Sequence, residues 1–187
     1  MATASLIPVS EYLRSTYRPD RDYIDGELKE RNMGERPHSL LQLIVGTIFM
    51  NNFDSWKVTA MTEQRVQIDS SRYRVPDICV VRASDPPDDI VVVPPLLCIE
   101  ILSSEDRFSR LQERVNDFAG MGVKNIWVLD PWERVGYFAS PRGFAQPGNG
   151  ILRIEDTPIA IILGEVFAQL DKTNSPATQP QSKGTTT

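Results

Sequence analysis

Histidine is almost absent from this chain: among 187 residues His38 is the only one. That scarcity argues against a multi-histidine metal site or a histidine relay within one chain. Cysteine is nearly as rare, with only Cys79 and Cys98, both inside apolar runs. Such usage suits a reducing compartment, the cytoplasm, rather than a disulfide scaffold. No apolar run approaches the roughly 20 residues that a membrane span requires. Met1 to Ser10 lacks a basic start followed by a long apolar stretch, so no signal peptide is expected. Positive charge is in deficit too. A net charge of −5 and a pI near 5.0 argue against coating nucleic acid by bulk attraction, so any such contact must come from a local basic face. There is no internal repeat. What is present is ordinary for a globular protein, 41% hydrophobic and 24% charged. The length suits one domain with a sizeable core, expected over residues 1–171. Residues 172–187 are Thr, Ser, Gln, Pro and Gly with almost no apolar content, and are expected to form a disordered tail.

Taken in order, Pro8 to Leu13 reads as a short helix, proline being tolerated in a first turn. Tyr23 to Glu30 reads as a hairpin about Asp25-Gly26, with a glycine bulge as the alternative. Pro37 and His38 open a helix through Leu40, Leu41, Ile44, Val45, Ile48 and Phe49, one wide buried face that Asn51-Asn52 ends. Val58 to Ile68 alternates in part and is expected to form one strand. Tyr73 to Arg82 is expected to form another, after a turn at Ser70-Ser71. Ala83 to Asp89 is a polar loop. Leu96 to Leu102 is apolar on both faces, as in the middle of a covered sheet. Ser103 or Ser104 is expected to cap a helix from Glu105 to Met121, with the stripe Phe108, Leu111, Val115 and Phe118 and a stop at Gly122. Asn125 to Leu129 is another buried strand, paired with Arg134 to Ala139. Ile151 to Ile154 suits an edge strand, and Leu163 to Leu170 a closing helix.

Two acids interrupt these apolar runs. Asp77 stands in Arg74-Val75-Pro76-Asp77-Ile78-Cys79-Val80-Val81, and Glu100 in Leu96-Leu97-Cys98-Ile99-Glu100-Ile101-Leu102. An ionised carboxylate in such a place is costly unless something pairs with it. An antiparallel register that sets Asp77 opposite Glu100 also sets Cys79 opposite Cys98 and Val75 opposite Leu102. Directly opposed like charges repel. The register therefore calls for a cation between the acids, or for one of them to be protonated. A divalent metal satisfies it. Two other readings stay open: Asp77 bonded to nearby backbone, and Glu100 in a buried ion pair with an arginine.

These residues resemble the PD-(D/E)XK nucleases and, more narrowly, the Uma restriction-endonuclease family. The likeness is carried by Arg74-Val75-Pro76-Asp77, Ile99-Glu100-Ile101-Leu102-Ser103, Gly122-Val123 and Trp127-Val128-Leu129-Asp130-Pro131. Tyr23-Ile24-Asp25-Gly26-Glu27-Leu28 and the helix-opening His38 add to it. It spans about Val9 to Leu170 and rests on the order of short motifs. It implies an α/β, restriction-endonuclease-like fold, a central mixed β-sheet flanked by helices. It also implies Mg²⁺, or Mn²⁺, held by Asp77 and Glu100 with the Ile101 carbonyl as third ligand. Such an ion lowers the pKa of bound water and stabilises charge on a scissile phosphate of DNA.

The chain departs from the pattern at the lysine expected two residues after the second acid, where it has Leu102. In the Uma family a lysine from the following helix substitutes for it, and the matching position here is Arg114. Helical geometry sets 114 about 40 to 60° from positions 118 and 111, at the border of the buried stripe. Arginine grips phosphate but is a poor proton acceptor. Its alternative is a solvated charge paired with Glu113 or Asp117. Arg107 and Arg110 share that side of the helix and could meet phosphates, although charge runs on helices are commonly just wet faces. His38 could touch substrate or merely cap its helix. Glu27 matches a family position near the site and reads equally as a surface turn. Trp127 reads as core and Trp132 as a loop aromatic. Three functions follow: a metal-dependent DNA endonuclease, a non-cleaving nucleic-acid-binding module of the same fold, or a structural or dimerisation domain. A homodimer would suit cleavage of two strands.

Overall fold

The computed structural model describes residues 6–31 and 34–174. The chain runs α1 (Val9–Arg14), β1 (Asp22–Ile24), β2 (Glu27–Lys29), α2 (Arg36–Asn51), α3 (Phe53–Trp56), β3 (Val58–Thr62), β4 (Val66–Asp69), β5 (Arg72–Arg74) and β6 (Ile78–Arg82). It continues through β7 (Leu97–Ile101), α4 (Phe108–Met121), β8 (Ile126–Asp130), β9 (Val135–Ser140), β10 (Gly143–Ala145), β11 (Ile151–Arg153), β12 (Ala160–Ile162) and α5 (Leu163–Asn174). Asp25 and Gly26 close the β1–β2 hairpin in left-handed conformations, φ 50° and 92°. This is the geometry for which an Asp-Gly pair is selected. Of the tail expected from Lys172, the first three residues belong to α5, and the remainder lies outside the described residues.

A six-stranded mixed sheet in the order β10-β9-β8-β7-β6-β3 forms the centre. Its one parallel pair is β7 with β8, and α4 supplies the crossover that parallel strands need. The register between β6 and β7 is the expected one: Cys79 faces Cys98, Ile78 faces Ile99 and Val80 faces Leu97. Alternation then sorts the two faces. Ile78, Val80, Leu97, Ile99 and Ile101 join Leu41, Val45 and Phe49 of α2 and Val166, Phe167 and Leu170 of α5 in the main core. On the other face, Cys98 packs with Val115 and Phe118 of α4, and Cys79 with Val66 and Val91. Both thiols are free and buried. Glu100 shares that second face, under α4. Gly122, at φ 105°, ends α4.

Three expectations need correction. Val58–Ile68 is two strands, separated where Glu63 turns left-handed at φ 51°. β3 stays in the central sheet, whereas β4 joins a four-stranded sheet in the order β2-β1-β5-β4. Tyr73–Arg82 is likewise split between β5 and β6 at Pro76, whose nitrogen has no hydrogen to donate to a ladder. α4 begins at Phe108 rather than Glu105, because Asp106 turns back to accept bonds from the Ser103 amide and hydroxyl at 2.8 and 3.0 Å. Phe108 is consequently exposed, and Asp117 takes a buried place on the helix instead.

Candidate active site

Pro76 breaks the strand immediately before Asp77, which brings that carboxylate to the end of β6 beside Glu100 and Ile101 of β7. Asp77 is almost completely buried. Its Oδ2 accepts the Ile101 amide at 2.7 Å and lies 3.3 Å from His38 Nε2 at the start of α2. Its Oδ1 accepts from Arg31 Nη2 at 2.6 Å. The backbone is fixed as well, since the Asp77 carbonyl accepts from Gln42 Nε2 at 2.8 Å. Burial raises the Asp77 carboxyl, but the His38 bond, the charges of Arg31 and His38, and the Ile101 amide together hold it below its usual pKa. For His38, burial opposes the charge, yet the bond to Asp77 prevails and its pKa is raised. Among the described residues the buried imidazole Nδ1 has no partner.

Glu100 is the contrasting case. Its Oε2 lies 3.1 Å from Arg114 Nε. The Nε hydrogen is not aimed along that line, so this is charge attraction without an aligned hydrogen bond. Oε1 is buried and, among the described residues, has no partner. Burial pushes the Glu100 carboxyl up to about 8, with Arg114 opposing and the neighbouring Asp77 charge adding to the rise. The two acids thus divide, Asp77 held ionised by its donors and Glu100 pushed toward its protonated form chiefly by burial. Arg114 also reaches Asp106, Nη2 to Oδ1 at 3.6 Å.

Each acid therefore has its own arginine, Arg31 for Asp77 and Arg114 for Glu100. Burial alone no longer demands a metal. The side chains do leave a cleft of about 20 Å³ lined by Arg31, His38, Asp77, Glu100, Ile101, Ser103, Asp106 and Arg114, room for one water or one small ion. Among the described residues no group of three or more His, Cys, Asp or Glu is placed to hold a metal. A set of two carboxylates, a main-chain carbonyl and solvent is a different, all-oxygen arrangement, and it is the kind that Mg²⁺ prefers. The orphaned Oε1 of Glu100 beside Asp77 fits such an ion.

The other expected residues separate. Arg110 and Arg114 share the wall of a basin of about 510 Å³ with Lys29, Arg31 and Arg74, and with the acids Asp22, Glu30, Glu105 and Glu113. Arg107 faces a different cleft of about 400 Å³, with Leu102, Phe108, Leu111 and Trp132. Arg114 is paired with Glu100 and Asp106, not with Glu113 or Asp117. Glu27 is a surface residue paired with Lys29. Trp127 is core, and Trp132 is a half-exposed loop residue.

Two arginines were not foreseen. Arg31, at the end of the β2 hairpin arm, gave no sequence signal beyond the need of a buried acid for a cation. Arg74 is buried, with Nε 2.7 Å from Asp117, Nη1 2.8 Å from Asp22 and Nη2 2.8 Å from Glu113. It ties Asp117 and Glu113 of α4 to Asp22 of the four-stranded sheet.

A sequence model of the Uma2 family, described as "Putative restriction endonuclease", matches residues 9–140. Among solved structures, the chain is similar to a crystal structure of a "putative nuclease belonging to DUF820" from Anabaena variabilis ATCC 29413. Identity is 21% and the TM-score 0.76, over 88% of this chain and 99% of that one. At that identity the likeness shows a shared fold. No curated protein matches the chain. Among the described residues no helix is long and apolar enough to cross a membrane.

Proposed function

The chain belongs to the Uma2 family and has a restriction-endonuclease-like fold, and on that premise we propose that it hydrolyses phosphodiester bonds in DNA with the help of a divalent cation. Asp77, Glu100 and the Ile101 carbonyl would hold Mg²⁺ or Mn²⁺. The observation that carries this reading is the buried, unpartnered Oε1 of Glu100, set beside Asp77 in a cleft the size of one ion. When bound, the cation supplies an acidified water and charge stabilisation at the phosphate. The chain's own groups do the rest. Asp77 is kept ionised by His38 and Arg31. Arg114 offsets phosphate charge from above Glu100, and it cannot act as a base, because a guanidinium keeps its protons. Arg110 faces the same basin, where a phosphate of the strand can meet it. His38 holds Asp77 through Nε2 and keeps its Nδ1 buried, so its part is to position the Asp77 carboxylate, and substrate reaches it only if that nitrogen is uncovered. Arg107, on the far cleft, is left with a looser contact.

Mg²⁺-dependent nicking of supercoiled plasmid tests the proposal. Nicking is expected in the wild type, and loss of it in both Asp77→Ala and Glu100→Ala. Metal-dependent nicking that survives in Glu100→Ala overturns the assignment. One observation favours a second reading, a non-cleaving nucleic-acid-binding module: Leu102 occupies the motif lysine's place, while each acid has an arginine beside it. Metal-independent binding of the plasmid without nicking is the result that module predicts. A homodimer would suit cleavage of both strands, and light scattering tests for it.

A further inference from the structure

Arg31 treats Asp77 differently from the way Arg114 treats Glu100. Arg114 leaves one Glu100 oxygen open, whereas Arg31 covers the Asp77 oxygen that the other donors do not. Its Nη2 lies 2.6 Å from Oδ1, while Oδ2 already serves the Ile101 amide and His38. The Arg31 side chain is nine-tenths buried. The cleft in front of it holds about 20 Å³, one water's worth of space. A guanidinium and a doubly charged ion on the same carboxylate, in so small a space, repel each other at close range.

We propose that Arg31 is a built-in competitor for the divalent cation, occupying its place on Asp77 and yielding it when the ion binds. This rests on the metal site proposed above. The way out is already marked. The other terminal nitrogen, Nη1, lies 3.6 Å from Glu63 Oε1, on a half-exposed side chain. Arg31 also lines the 510 Å³ basin beside Arg110 and Arg114. On leaving Asp77 the guanidinium keeps a carboxylate partner in Glu63 and turns its free edge to the basin. There it matches a phosphate bidentately. The ion and the arginine exchange places, so the metal-loaded site gains a phosphate contact that the metal-free site withholds.

The test is titration of the full chain with Mn²⁺, followed by calorimetry and by the spin-resonance signal of free Mn²⁺, for wild type and Arg31→Met. A competitor removed means tighter binding: Kd for Mn²⁺ is expected to fall about tenfold or more, the worth of one charge-assisted hydrogen bond. The direction is diagnostic, because an arginine that merely held the site together would weaken metal binding when lost. Unchanged or weaker binding in Arg31→Met, with the wild type binding, overturns the competitor and leaves the metal site standing. No Mn²⁺ binding in either protein overturns both. If Arg31→Met does not fold by circular dichroism, Arg31→Lys decides. An ammonium cannot fork between Asp77 and Glu63, so a Kd about threefold tighter than wild type is expected, and no tightening refutes the exchange.

Discussion

Glu100 is a group that the fold tolerates at a cost, and the cost depends on pH in a defined direction. Its pKa is raised from 4.5 to about 8. Between those values the folded protein keeps the proton while the unfolded chain has lost it, so stability falls as pH rises through the window. At roughly 1.4 kcal/mol per pH unit the loss is on the order of 5 kcal/mol, comparable with the whole stability of a marginal domain. Glu100→Gln has the same shape and no proton to lose. Urea unfolding of both proteins at pH 5, 6, 7 and 8 should therefore show a small difference at pH 5. The gap in favour of the glutamine variant should widen by roughly 1 kcal/mol at each step and level off as the pH passes about 8. His38, whose pKa is also raised, contributes stability at low pH that is lost as pH rises. Because it titrates in both proteins, it drops largely out of the difference. Added Mn²⁺ should flatten the wild-type curve and release close to one proton per ion at pH 7, since the ion takes the ionised carboxylate. The variant should show neither effect. Parallel stability curves for the two proteins from pH 5 to 8 would refute the reasoning, because they would mean that Glu100 titrates in the fold as it does in water.

Arg74→Met removes the guanidinium between Asp22, Glu113 and Asp117 and leaves two buried acids short of a cation. With Arg72 still 2.7 Å from Asp117, the loss is expected to be about 3 kcal/mol in urea unfolding; a change within half a kcal/mol of zero, by the scatter of surface substitutions, would mean the cluster is solvated. Gly136→Ala brings a Cβ to 2.8 Å from a Leu163 methyl and 3.0 Å from a Leu152 methyl, so about 1–2 kcal/mol should be lost to overpacking, read from the denaturation midpoint. Arg114→Met is expected to abolish nicking, and the double variant Leu102→Lys, Arg114→Met to recover part of it. Full nicking in Arg114→Met alone would show that the guanidinium has no part in the reaction.

Period-two patterning made the centre of the sheet legible. Once Asp77 and Glu100 are opposed, Cys79 must meet Cys98, and both thiols lie where that register sets them. The same patterning failed where one apolar run passes between two sheets. Val58–Ile68 alternates in part on both sides of a polar run at Thr62 to Arg65, and Tyr73–Arg82 stays largely apolar past Pro76, since a chain that leaves one buried sheet for another keeps its apolar residues. The interruptions were small, a left-handed Glu63 and the missing hydrogen of Pro76. Ser103 misled in another way. A serine three residues before an acid resembles a helix cap, but here the bonds run from Ser103 to Asp106 and close a separate turn.

The acids of the site were readable because burying a carboxylate in apolar sequence is costly enough to need a reason. Their partners were not, because the need for a cation does not say which residue supplies it. Arg31 stands 46 residues from Asp77 along the chain, in a polar stretch with no periodicity to mark it. Arg114 was accessible only through the likeness to the Uma family, whose helix lysine it matches; helical geometry permitted that match, placing 114 at the border of the buried stripe. The position of the positive charge then explains the departure at Leu102. In β7 the residue two places beyond Glu100 shares its face, but here it runs beneath the first turn of α4, in the cleft shared by Leu111 and Trp132, where an apolar side chain is favoured. One turn further along the same helix, Arg114 comes within 3.1 Å of Glu100, and the same helix is bonded to Arg74 through Glu113 and Asp117. Charge that a strand would have supplied from the side is supplied by a helix from above. A guanidinium keeps its proton where a lysine can lose one, so under the proposed function Arg114, beside Asp106 as well as Glu100, would stabilise a phosphate and leave the activation of water to other groups.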